Sequence, residues 1–176
     1  EFPDVILLET IGDLFWTATT NLGIKYALEN GADYVMTLNN DTVAAPDFME
    51  KMDYWSKQHP QALLGAFALD AVSKRPVYAG EVMDWKFMRS KSWVHLLQED
   101  EMKGIHEVSH FPGRGLLIPK SCFENIGLFE EIIFPHYAAD YDFTHKAIRH
   151  GYEIFCNHDA KLFIYPDASG DRENRK

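Results

Sequence analysis

Two carboxylate-bearing runs, Asn39-Asn40-Asp41 and Asp140-Tyr141-Asp142, are where this chain could do chemistry. The first follows Tyr34-Val35-Met36-Thr37-Leu38, which has the length and composition of a buried strand. Asn and Asp are poor strand formers, so the strand must end there. In open α/β sheets ligands bind at such carboxyl ends. A carboxylate exposed at the tip can hold Mg²⁺ or Mn²⁺ against a diphosphate. An Asx turn that merely reverses the chain accounts for the same three residues, and the run alone does not choose between the two.

Asp140 and Asp142 come after Phe134-Pro135-His136-Tyr137 and before a helical pattern that includes Phe143, Ala147 and Ile148. Either carboxylate could serve as a general base toward an acceptor hydroxyl. Equally, carboxylates in a first helical turn cap free N–H groups and favour the helix dipole. Gly113-Arg114-Gly115 is too short for a phosphate-binding fingerprint, though its Arg could reach a phosphate or carboxylate; a hairpin turn with a solvated Arg reads the same. His136, His145 and His158 lack ligand spacing, which points to structural or exposed roles.

The elements that must position these residues alternate through the first seventy positions. Val5-Ile6-Leu7-Leu8 has strand character. Thr19-Thr20-Asn21 can cap a helix carrying Ile24, Ala27 and Leu28 and stopped at Gly31. Pro46 opens a second helix with Phe48, Met49, Met52 and Trp55 on one face, closing near Pro60. Leu63 to Leu69 is another buried strand. This alternation implies βαβ units and a mostly parallel sheet with helices on both faces. Residues 70–103 mix Trp85, Phe87, Met88 and Trp93 with many charges and show no clear period. Later come a strand at Leu116-Leu117-Ile118-Pro119, a helix from Ser121 to Ile126, a helix from Asp140 to His150, and strands at Tyr152–Cys156 and Lys161–Tyr165. The more mixed second half suits an α/β domain with an appended antiparallel piece.

A chain of 176 residues with 46% hydrophobic and 25% charged residues suits one globular domain, here 1–166, followed by a polar tail at 167–176. A net charge of −10 argues against a nucleic-acid partner, since phosphate backbones need a basic face. It leaves nucleotide binding open, because a divalent cation can sit between carboxylates and phosphates. No apolar run reaches the length of a membrane span, and the start has no signal-peptide pattern. Cys122 and Cys156 lie in apolar stretches and read as reduced, buried thiols of a cytoplasmic protein.

Taken together in order, several motifs resemble the family-two glycosyltransferases of the GT-A fold, in particular their rhamnosyltransferase-like members. Asn21-Leu22-Gly23-Ile24 followed by Gly31-Ala32-Asp33-Tyr34 to Leu38-Asn39-Asn40-Asp41-Thr42 is similar to the segment that ends in that family's DXD motif. Gly115 to Pro119, Phe123 and Ile126-Gly127-Leu128-Phe129-Glu130 resemble its middle segment, and Phe134 to Asp142, then Gly151-Tyr152, its acceptor-side Glu-Asp-x-Asp segment. The resemblance spans nearly the whole chain outside residues 70–103.

It implies an α/β, Rossmann-like GT-A domain that moves one sugar, with inversion, from a nucleotide-sugar donor (UDP- or dTDP-linked) to a hydroxyl of a glycan, polysaccharide or lipid-linked acceptor. Asp41, with Asn39, would hold Mg²⁺ or Mn²⁺ on the diphosphate, and Asp140 would be the base. Asn21 would sit near the donor together with Asn40, while Gly113, Arg114 and Gly115 would line the donor or acceptor pocket. A seat at the inner face of the membrane is compatible with such acceptors. Ala139 replaces the usual Glu, Ile164 stands where many members carry a metal-binding His, and the Gln-x-x-Arg-Trp signature of processive members is absent. The family's opening strand–helix–strand does not precede Glu1, so the expectation is an N-terminally truncated fold with weak donor binding and a bare sheet edge covered by self-association. Two other readings compete: a nucleotidyltransferase with a strand-tip Asp, and a non-catalytic relic that binds sugar nucleotide.

Overall fold

The computed structural model describes residues 4–10, 12 and 14–165. The polar tail at 167–176 lies outside the described residues. The element order is α1 (Trp16–Glu29), β1 (Tyr34–Thr37), β2 (Thr42–Ala44), α2 (Phe48–Gln58), β3 (Leu63–Asp70), β4 (Pro76–Tyr78), β5 (Glu81–Asp84), β6 (Arg89–Ser92), α3 (Trp93–Leu96), β7 (Ile105–Glu107), β8 (Leu116–Pro119), α4 (Lys120–Ile126), α5 (Ala139–Arg149) and β9 (Ile154–Ile164). The central sheet runs β1-β8-β3-β9-β2, with β4 added beside β3 and β7 beside β9.

Apolar alternation on these strands feeds two large cores and a smaller cluster of Phe67, Leu69 and Ala79. Leu63, Leu116, Ile118, Ile154 and Cys156 face Ile24 of α1, Phe123 of α4 and Phe143 and Ala147 of α5. Leu64, Ala66, Leu117 and Leu162 face Phe48 and Met52 of α2. Helices therefore cover both faces, as expected of an α/β sheet.

Strand direction departs from the expected mostly parallel sheet. Among the described residues only β3 and β9 pair in parallel. Strands β1, β3 and β9 do run the same way, as the early alternation predicts. The difference is β8, which sits between β1 and β3 antiparallel to both. Alternation along the chain tells which elements follow one another, not which later strand will be inserted between two earlier ones. The appended antiparallel piece is present as the β5–β6 hairpin.

Three further elements differ from the sequence reading. Val5-Ile6-Leu7-Leu8 is not a strand: it has no ladder partner among the described residues, and Val5, Ile6 and Leu7 are exposed. An apolar run becomes a strand only where another strand takes its N–H and C=O groups. The strands expected at 152–156 and 161–165 are one strand, β9, with a slip in the middle. Ala66 pairs with Asn157 and Phe67 with Lys161, so β9 holds three extra residues. An odd insertion turns the following side chains to the opposite face, which carries Leu162 into the α2 core although Ile154 and Cys156 lie in the other. Finally, β2 adds a short antiparallel partner to β9 immediately after Asp41.

The slip has its own fastenings. Asp159 accepts Gly104 N–H at 2.9 Å and Trp55 Nε1–H at 3.0 Å. His158 is completely buried and its Nε2–H donates to the Ala79 carbonyl at 2.8 Å. Burial is the main reason that its pKa falls from 6.5 to about 4; nearby His106 adds to the fall, while the Ala79 bond and Asp159 oppose it. Cys122 and Cys156 are free and buried, as read from sequence, and burial pushes the Cys122 thiol up to about 12. Among the described residues no helix is long and apolar enough to cross a membrane.

Two tests follow from these contacts. Gly115 has φ +75°, and a Cβ there would lie 2.4 Å from Leu162 Cδ1 and 2.8 Å from Ala66 Cβ. Gly115→Ala is expected to destabilise the fold by about 2–3 kcal/mol, read as a lower urea midpoint. His158 is neutral in the fold but protonates near pH 6.5 when unfolded. The unfolded chain therefore binds more protons between pH 6.5 and 4, so stability is full above about pH 6.5 and falls by up to roughly 3 kcal/mol as pH drops through that window. Urea melts at pH 7 and pH 5 should show the loss, and His158→Gln should flatten the pH dependence.

Candidate active site

The pocket at the carboxyl end of β1 starts with strand pairing. Because β8 runs antiparallel to β1, its amino end lies beside the end of β1, where Thr37 pairs with Leu116. Gly115 N–H extends that ladder by donating to Thr37 O at 2.8 Å, and Gly115 O accepts Ala66 N–H at 2.8 Å. The Gly113-Arg114-Gly115 turn is thereby fixed against the loop that carries Asn39, Asn40 and Asp41.

On the opposite wall, α5 begins after Ala138, whose φ of +70° turns the chain sharply. Asp140 lies in the first helical turn and accepts Gly113 N–H through Oδ2 at 2.8 Å and Tyr141 N–H through Oδ1 at 2.9 Å. The capping and base readings are thus not exclusive: each carboxylate oxygen is oriented by one backbone donor and keeps a further lone pair. Asp142 is exposed and lies outside the pocket lining. Ala139 is buried in the core, so the position beside Asp140 presents a methyl group to apolar neighbours rather than a second acid to the pocket.

Asn39, Asp41, Gly113, Arg114 and Asp140 line one open cavity of about 630 Å³. Arg114 makes no ion pair among the described residues, which leaves its guanidinium available to an anion. Asp41 Oδ1 is buried without a hydrogen-bond partner. The loop is also a tight turn, closed by Thr42 Oγ1 donating to the Asn39 carbonyl at 2.8 Å. No three His, Cys, Asp or Glu side chains gather as a metal cluster among the described residues. A hard cation held by one or two protein oxygens and completed by phosphates needs no such cluster, and an orphaned carboxylate oxygen beside Asn39 fits that kind of donor set.

Two other predicted residues lie elsewhere. Asn40 is exposed at the turn and Gly115 is buried in the sheet; neither lines the cavity. Asn21 is buried, and its side chain is fully occupied in joining α1 to the 129–131 segment. It donates to Phe129 O at 2.9 Å and Glu131 Oε2 at 2.8 Å, and accepts Phe129 N–H at 3.1 Å.

The sequence reading missed Trp16, Tyr137, Ala138 and Tyr141 as pocket walls, and assigned His136 no ligand role although it lines the cavity. Trp16 stacks on Phe129 with ring centroids 5.8 Å apart, and a Cβ on Gly113 would come within 2.6 Å of its ring. Gly113 is thus a glycine because the Trp16 indole closes the pocket against it. Tyr141 has its pKa raised, first by burial and then by Asp140 and Glu81, with Arg114 opposing, so it remains a neutral hydroxyl. Neighbouring aromatic residues and a Pro were the only sequence signal for this wall.

No protein-family model and no curated protein matches the chain. Among solved structures it is similar to GalNAc-T7, solved with UDP, GalNAc and Mn²⁺, at a TM-score of 0.64 and 10% identity. The fold is of the GT-A type. The match covers 86% of this chain and 30% of GalNAc-T7, so the chain spans about a third of that protein's length. At this identity the likeness concerns the fold.

Because Asn21 makes two buried hydrogen bonds to Phe129 and a partly buried one to Glu131, Asn21→Ala is expected to cost about 2–4 kcal/mol of stability. Denaturant melts should show the loss, while nucleotide binding measured on the remaining folded protein stays unchanged.

Proposed function

We propose that this chain is the core of an inverting glycosyltransferase that moves a single sugar from a nucleotide-sugar donor to a hydroxyl of a glycan or lipid-linked acceptor. The observation that carries the proposal is the meeting of Asp41, Arg114 and Asp140 in one cavity, with Asp41 Oδ1 buried and unpartnered. The GT-A fold supports it.

In this reading Arg114 pairs with the donor diphosphate. Asp41 and Asn39 would hold a divalent cation, Mg²⁺ or Mn²⁺, which when bound supplies neutralisation of the diphosphate charge. Asp140, held by Gly113 N–H and Tyr141 N–H, points a free lone pair at the acceptor hydroxyl and takes its proton as the hydroxyl oxygen attacks the anomeric carbon. The hydroxyl oxygen forms the new bond, the nucleoside diphosphate leaves with the electrons of the old one, and the proton remains on Asp140. Trp16 and Tyr141 wall the cavity beside Asp140.

A second reading, a sugar-nucleotide binder without turnover, is favoured by Ala139, which removes one acid from the motif. The two part on a single comparison. UDP with Mg²⁺, titrated at millimolar concentration and followed by NMR, should shift the Trp16 indole signal. Asp41→Ala should weaken that binding by about tenfold or more, and Asp140→Asn should leave it within about twofold. Transfer from UDP- or dTDP-sugars should fall by about 10²-fold or more in Asp140→Asn. Unchanged transfer in Asp140→Asn removes its assignment as base, and unchanged UDP binding in Asp41→Ala removes the metal assignment.

A further inference from the structure

A second cavity, of about 400 Å³, lies between the β5–β6 hairpin, α3 and the last turns of α5. Trp85 and Trp93 give it two indole walls, and Val82, Leu96 and Ile148 supply aliphatic surface. Trp93 is fixed by Nε1–H donating to the Glu107 carbonyl at 3.0 Å. Trp85 is 61% exposed at the mouth, more than core packing alone accounts for.

The polar residues of the lining are few, namely Ser109, Lys91, His145 and Glu107, with the single cation and single carboxylate opposite in sign. Ser109 Oγ accepts Met83 N–H at 2.8 Å, which leaves its hydroxyl proton to donate. Lys91 is already paired with Asp84 at 3.2 Å, so the groove does not call for an anion. His145 has its pKa lowered by burial and by His110, against Asp142, and so presents a neutral ring. Aromatic faces with a small number of placed hydrogen-bonding groups suit a ring that is apolar on its faces and hydroxylated at its edges. A pyranose has that form.

The groove and the Asp140 cavity lie at successive turns of the same helix, α5. Asp140 and Tyr141 line the first cavity, and His145 and Ile148 line the second. Tyr141, His145 and Ile148 are spaced i, i+4 and i+7, one face of the helix. At about 1.5 Å per residue, Ile148 lies about 12 Å along the axis from Asp140. A row of rings bridges the interval: His110 is 5.0 Å from Tyr141 and 5.5 Å from His145, and His145 is 5.5 Å from Trp85.

We propose that the Trp85–Trp93 groove is a subsite for a second, neutral sugar ring of the acceptor, whose first ring presents its hydroxyl to Asp140. The assignment rests on the glycosyltransferase reading for its direction, but sugar binding in the groove requires neither donor nor turnover. Acceptors of two or more rings are therefore preferred to single sugars, and residues 70–103 set that preference by building the hairpin and α3.

The chain has four tryptophans, so indole N–H signals in ¹H–¹⁵N spectra report each cavity separately. Maltose, cellobiose and lactose are titrated at millimolar concentration. At least one is expected to shift the Trp85 and Trp93 signals, and Trp85→Ala should weaken that binding about tenfold without lowering the melting temperature. UDP with Mg²⁺, read at Trp16, is titrated in parallel and tests the glycosyltransferase reading independently. Silence of Trp85 and Trp93 toward all three disaccharides overturns the proposal, as does unchanged affinity in Trp85→Ala. If decyl phosphate moves these signals while the sugars do not, the groove belongs to a lipid chain and the proposal fails.

Discussion

Across 2.8 Å, the backbone N–H of Gly113 donates to Asp140 Oδ2, and this bond joins the two halves of the pocket. Gly113 is held on one side because β8 runs antiparallel beside β1 and Gly115 continues that ladder to Thr37. Asp140 is held on the other because α5 starts from the left-handed turn at Ala138. Only glycine fits at 113 with the Trp16 ring so close, and the Asp140 carboxylate accepts that donor while retaining further lone pairs. If β8 were parallel to β1, the Gly113–Gly115 turn would lie at the far end of the sheet and Asp41 and Asp140 would share no cavity.

The rest of the sheet depends on a parity argument of the same kind. β9 must serve the α1–α4–α5 core with its first half and the α2 core with its second. The three extra residues between its two registers with β3 make that exchange. They also place His158 and Asp159 where they fasten the strand at Ala79 and tie the Gly104 loop to Trp55. The slip is thus a structural joint between the two cores, and the pH-sensitive buried His158 belongs to it rather than to the pocket.

Much of this was legible from residue order. The strand Tyr34–Thr37, the helix Phe48–Gln58, the strand Leu63–Asp70, the helices Lys120–Ile126 and Ala139–Arg149, and the buried cysteines follow from apolar periodicity and its punctuation. Asn39, Asp41, Gly113, Arg114 and Asp140, chosen by residue type and motif order, line one cavity. What failed did so for physical reasons. Val5–Leu8 has strand composition but no ladder partner among the described residues. β4, β5 and β6 are only three or four residues long, with exposed, charged positions such as Arg89 and Lys91, so periodicity had too little to act on. Asn21 has the right type for a ligand contact, but the Phe129 backbone and the Glu131 carboxylate hold its amide.

By itself, then, the sequence determined the element types, the α/β class and the chemistry on offer: carboxylates and one guanidinium at the ends of a strand, a turn and a helix. Those follow from local spacing and residue type. Tertiary structure alone decided that β8 enters between β1 and β3, that Asp140 is oriented by Gly113, and that Trp85 and Trp93 wall a second cavity further along α5. These depend on contacts between residues tens of positions apart, and no local pattern encodes which of two compatible strand neighbours will be chosen.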